Sequence, residues 1–191
     1  GAGKSTFALF INALFSMGAH KESQAYAALR KTSPELAARF LPLCATKRPW
    51  FCVPLTARRS PIGQIILEGL QEALGQLPDD TERQAVSRRL ETSLRHAGWR
   101  DSAAVLDLVE AVRKLALARE RSGFLLIVDE AGKSLEYALQ DKAGGDVYLF
   151  QMLAEHAKRV PDAPMLFLTV QHQHFDGYTE LSNTILRHEW A

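Results

Sequence analysis

Cysteine is scarce in this chain. Cys44 and Cys52 are the only two, too few for a disulfide framework or a thiolate metal site, and both read as buried reduced thiols. Net charge is scarce as well: 23 lysines and arginines stand against 22 acids, a formal +1. No overall field therefore marks the chain for nucleic acid or for a membrane surface. Long apolar runs are missing. None reaches the roughly 18 residues that a membrane helix needs, and the expected location is cytoplasmic. There is no initiator Met, and the last residues, Leu186 to Ala191, carry no Gly or Pro stop signal. The chain reads as an internal piece of a longer protein, so a leader upstream of Gly1 is not addressed by these residues.

What is present suits one domain: 191 residues, of which 47% are hydrophobic and 24% charged. Residues 5–15 place Phe7, Phe10, Ile11 and Leu14 at helical spacing. Two short helices are predicted at 21–31 and 34–41, the second opened by Ser33-Pro34-Glu35 as N-cap and first turn. Trp50 to Thr56 is short, apolar and β-leaning, and Pro54 within it points to a sheet edge. Ser60-Pro61 opens a predicted helix over 61–75. Residues 79–121 are helix-forming and rich in Arg and Glu. Val86, Leu90 and Leu94 form one stripe and Val105, Leu108, Val109, Val112 and Leu115 another, broken at His96-Ala97-Gly98-Trp99. A helical hairpin is expected there.

Phe124 to Val128 is a continuous apolar run, the mark of a strand buried on both faces of a parallel sheet. Helices are expected at about 131–140 and 146–160. Met165 to Val170 reads as a third buried strand, and a last helix is expected at 178–190. Strands alternating with helices predict an α/β fold with right-handed crossovers.

Three constellations carry chemistry. The first is Gly1-Ala2-Gly3-Lys4-Ser5-Thr6. Backbone N–H groups of a Gly-rich turn and a helix N-terminus together suit phosphate oxygens. Lys4 would reach the β- and γ-phosphates and Ser5 would hold Mg²⁺. The loop's first glycine and its launching strand would lie before residue 1. Without them, the segment also reads as a flexible Gly-rich stretch before an ordinary helix. The second is the apolar run ending in Asp129-Glu130. Asp129 at a strand tip can hold Mg²⁺ through water, and Glu130 can act as general base. The alternative is a buried strand whose Asp caps the next helix. Both motifs in this order favour a phosphate-binding loop.

The third is the polar end of the 165–170 strand. Ligands of parallel α/β folds sit beyond the carboxyl ends of the strands. Thr169, Gln171 or His172 would meet the γ-phosphate or the attacking water there, or simply cap the strand. Gln171 joins Glu130 as a catalytic candidate. His172, His174 and Asp176 alternate, but no further ligand set accompanies them for a metal. Ala131-Gly132-Lys133-Ser134 repeats the GKS letters, yet Ile127 stands where the loop's first glycine is needed. Lys133 is placed instead in the first turn of the next helix, near the nucleotide edge. Arg58 and Arg59 follow the first strand, as a solvated loop or as a contact for phosphate, partner or nucleic acid.

In GAGKST, FLLIVDE and LFLTVQH, the chain resembles the AAA+ and STAND group of P-loop ATPases, the origin-recognition-like and signal-transduction enzymes. Asp129 to Ala138 also resembles a stretch of large bacterial ATPases associated with phage defence or mobile elements. The resemblance implies ATP and Mg²⁺ as bound groups and hydrolysis coupled to movement, often in oligomers. It implies a sheet of order 5-1-4-3-2, of which this chain would hold strands 2, 3 and 4. Gly1, Ala2, Gly3, Lys4, Ser5 and Thr6 would then bind the nucleotide, and Ser5 and Asp129 the metal. The 79–121 stretch would be an insertion, since about 120 residues part Lys4 from Asp129. No arginine finger is assigned.

Three functions are weighed. The first is an ATPase driving conformational work, with Glu130 as its distinguishing residue. The second is a P-loop kinase, which needs an acceptor site; Thr56-Ala57-Arg58-Arg59 supplies no acid for one. The third is a nucleotide-gated interaction module with little turnover, in which the hairpin docks a partner, protein or DNA. An open apolar strand edge is expected to make the isolated piece prone to aggregation.

Overall fold

The protein is described here from a computed structural model, which covers residues 3–17, 23–44, 48–140, 148–160 and 164–171. Helix α1 spans Gly3–Ser16, α2 Gln24–Thr32 and α3 Pro34–Cys44. Strand β1 (Phe51–Thr56) leads to α4 (Ile62–Ala73), α5 (Thr81–Arg95) and α6 (Ser102–Ala118). Strand β2 (Phe124–Asp129) leads to α7 (Gly132–Gln140), α8 (Tyr148–Arg159) and β3 (Met165–Thr169). The expected helix at 178–190 and the residues His172, His174 and Asp176 lie outside the described residues, as does the side chain of Cys44. Cys52 is free and buried.

Among the described residues the sheet has three strands in the order β1-β2-β3, both pairings parallel. The register runs Phe51 to Phe124 to Met165 across the sheet. Alternation along each strand then sorts the side chains into two layers. Phe51, Val53, Leu55, Phe124, Leu126, Val128 and Met165 face one core, shared with α4, α5, α6 and α8. Trp50, Cys52, Leu125, Ile127 and Val170 face a second, smaller core with α1, α2 and α3. Helices on both faces explain why β2 reads as an unbroken apolar run: all its residues but Asp129 are buried. Each such side chain contributes roughly 1.5–3 kcal/mol by leaving water.

Several expectations are corrected. β3 is not buried on both faces. Only Met165 in it is buried, and Leu166 is 39% exposed. β1 is an edge strand, where Pro54 is tolerated. Ser60 does not cap α4; Pro61 occupies that position with no side-chain bond. α3 runs past residue 41 through Pro42, at the loss of one backbone hydrogen bond near its end.

The 79–121 hairpin forms, with its break at Ala97, which takes a left-handed φ of 55°, followed by a 3₁₀ turn. Asp80 and Asp101 cap its two helices. It is no appendage: Leu90, Val105, Val109 and Val112 are fully buried in the main core. Two glycines let α4 approach its neighbours. A Cβ on Gly63 would stand 2.2 Å from the Trp99 carbonyl oxygen, and one on Gly69 would stand 1.8 Å from Leu55 Cδ2.

α6 and α8 are joined by an ionic cluster. Arg113, 1% exposed, donates from Nε and Nη2 to the Glu110 carboxylate at 2.7 and 3.0 Å. His156 of α8 meets the same carboxylate at 2.9 Å. Burial would raise the Glu110 pKa, but the bonds from Arg113 and His156 outweigh it and hold the carboxyl at about 2.

Candidate functional site

Parallel strands end on one side, and the three ends here are locked in register. The amide of Ala57 donates to the Asp129 carbonyl at 2.7 Å, and that of Ala131 to the Val170 carbonyl at 3.0 Å. The carboxyl edge is therefore a rigid rim made of 57–59, 129–131 and 170–171.

Asp129 sits on this rim, partly exposed, at the tip of β2. Alternation from Leu125 and Ile127 puts it on the α1 face of the sheet. Its Oδ1 accepts the Glu130 amide at 2.9 Å. Glu130 follows with a φ of 56°, a left-handed conformation that a non-glycine residue adopts at a cost. That reversal turns the chain sharply into α7, where the Lys133 amide donates to the Glu130 carbonyl at 2.9 Å. Lys133 lies in the first turn of α7, as expected, and its ammonium is ion-paired with the Glu130 carboxylate.

α1 begins at Gly3, so its first N–H groups point out of the helix at the same end of the sheet. Lys4, Ser5 and Thr6 are exposed in its first turn. Lys4 Nζ donates to the Gln171 carbonyl at 2.7 Å, just past β3. Lysine and strand end thus meet, through the backbone of Gln171. Thr169 alternates with Val170 and faces the α4–α6 layer, away from Asp129. Gly1, Ala2 and His172 lie outside the described residues.

Arg58 and Arg59 are fastened to the rim by carboxylates: Arg58 to Glu68 of α4, and Arg59 to Glu136 of α7 at 3.3 Å. Ser134 Oγ adds a bond to the Arg58 carbonyl at 3.3 Å. These exposed pairs hold the loop's shape more than they stabilise the fold.

Several contacts escaped the sequence reading. Glu130 and Lys133 are three apart, the spacing at which helix-entry side chains meet. Glu110 and Arg113 share that spacing, but His156 is 46 residues from Glu110 and no local signal joins them.

Among the described residues no three His, Cys, Asp or Glu side chains cluster to hold a metal ion. Ser5 is exposed in the first turn of α1 and Asp129 is partly exposed at the tip of β2, and a Mg²⁺ held by these two would need further oxygen ligands. Among the described residues no helix is long and apolar enough to cross a membrane. No protein family, curated protein or solved structure matches the chain.

Proposed function

We propose that this chain is the nucleotide-binding part of a P-loop ATPase of the AAA+ and STAND kind, and that it hydrolyses ATP with Mg²⁺. One observation carries the reading: Lys4 at the start of α1 is bonded to the end of β3, on the rim where β2 ends in Asp129-Glu130. A glycine-lysine-serine helix start and an acidic strand tip on one edge are the two parts that phosphoryl transfer needs. On this reading β1, β2 and β3 are strands 2, 3 and 4 of the order 5-1-4-3-2.

The α1 amides and Lys4 bind and orient the terminal phosphates. Ser5 and Asp129 would hold a Mg²⁺, which when bound would neutralise charge on the phosphate oxygens. Glu130 accepts a proton from the water as its oxygen bonds to the terminal phosphorus and the bond to the bridging oxygen breaks. Gln171, whose own carbonyl receives Lys4, would sense the terminal phosphate. Oligomerisation and a nucleic-acid or protein partner belong to the same reading.

A second reading, a nucleotide-gated module with little turnover, draws on the Lys133–Glu130 ion pair, which occupies the carboxylate that hydrolysis requires.

The test is steady-state ATPase activity of the complete protein beside Lys4→Ala and Glu130→Gln. Mg²⁺-dependent turnover, lost in both while Glu130→Gln still binds ATP, is the expected result. Binding without turnover in the unsubstituted protein selects the gated module. No nucleotide binding sinks both readings.

A further inference from the structure

We infer that the groove between α5 and α6 is a docking site for an amphipathic helix of a partner protein, with acidic residues along one flank of that helix. The inference does not depend on the ATPase reading.

The groove is a shallow, open depression of about 600 Å³. Ala85, Arg88 and Arg89 line it from α5, and Ala104, Asp107 and Leu108 from α6. On each helix these fall at i, i+3 and i+4, so the groove follows two helical stripes. The two alanines keep the walls low, Thr92 and Ser93 continue the α5 wall as small polar side chains, and Leu108, 5% exposed, lies at the floor. A third helix fits such a channel as helices fit one another, with one apolar side chain seated on Leu108.

Charge selects the occupant. The hairpin's acids and bases nearly cancel in number, but their pairing leaves a remainder. Arg83, Arg95, Arg113 and Arg119 each bond a carboxylate. Arg88 and Arg89, both exposed, bond none among the described residues. Both stand on the α5 wall, so that wall is positive. Asp107, exposed on the α6 wall, gives the opposite sign. A partner helix therefore lies with carboxylates toward α5 and a basic or amide side chain toward α6. This two-signed pattern fits a protein better than nucleic acid, whose backbone would meet Asp107 unfavourably.

The experiment selects a display library of randomised helical peptides on the complete protein, then measures enriched peptides and a duplex DNA by fluorescence anisotropy. Enriched sequences should set acids beside an apolar residue at helical spacing. Binding should weaken by about tenfold or more in R88E/R89E, and a peptide with its acids changed to lysine should bind that variant better than the original protein. The last result rules out simple misfolding. Enrichment without acids, affinities unmoved by R88E/R89E, an empty selection, or DNA binding through the two arginines in place of peptide binding would each overturn the inference.

Discussion

Glu130 and Lys133 form an ion pair across a single turn, with Glu130 in a left-handed backbone conformation. On the ATPase reading Lys133 orients the carboxylate proposed as general base, whereas on the gated-module reading it blocks it. Substituting Lys133→Met should lower kcat by about tenfold and leave KM within roughly twofold, because the loss falls on orientation rather than binding. Lys133→Arg should restore part of the rate. A kcat unchanged in Lys133→Met would show that the pair does not position the base.

The Glu110 cluster sets an acid limit on stability. Its carboxyl is held at about 2, below the ordinary 4.5. The sign follows: a depressed carboxylate stabilises the folded state above the unfolded pKa, and that contribution fades as pH falls from about 4.5 toward 2. At neutral pH it amounts to about 2–3 kcal/mol. Urea denaturation should find Glu110→Gln destabilised by that order at pH 7, with the difference narrowing between pH 4 and pH 3. A constant difference across that window would contradict the assignment.

Gly63 and Gly69 both lie where α4 is pressed close, but against different atoms. Gly63 faces a backbone carbonyl and Gly69 the end of a leucine side chain. A carbonyl in a 3₁₀ turn cannot step aside, whereas Leu55 can change rotamer. Gly63→Ala should therefore cost more than Gly69→Ala, with about 1–3 kcal/mol expected for the first. Equal losses in thermal unfolding would count against the argument.

The hairpin shares the main core, so it should not melt by itself. Leu90→Ala should remove about 2–4 kcal/mol from one cooperative transition, monitored by both far-ultraviolet dichroism and Trp fluorescence. Two separated transitions would mean that α5 and α6 form an independent unit.

Much of this architecture could be read from residues alone. The unbroken run Phe124 to Val128 marks a strand covered on both faces, and Pro54 marks an edge; both properties are local consequences of burial and of a missing N–H. The break at His96 to Trp99 was legible because Gly98 stands where the two helical stripes are interrupted. The place of β3 at an edge, with β2 central, follows from the 5-1-4-3-2 template that the resemblance implies, but the exposure of its faces was not legible, because an apolar run looks alike whether or not a helix covers it. The ties at the site were opaque as well. Lys4 meets a main-chain carbonyl at Gln171, which no side-chain pattern encodes, and Glu110 meets His156 only because the crossover sets α8 against α6.

The sheet also dictates an order of events during synthesis. Every ladder in it is parallel, and each joins strands separated by a long helical connection. β1 cannot pair until α4, α5, α6 and β2 have all been made, so early pairing is closed to it and folding is governed by slow, distant contacts. Lys4 waits longest, since the carbonyl that receives it lies 167 residues further along. On a ribosome the first turn of α1 emerges early and finds its place only after β3 has joined. A protease would therefore find α1, α2 and α3 without their sheet until that late step.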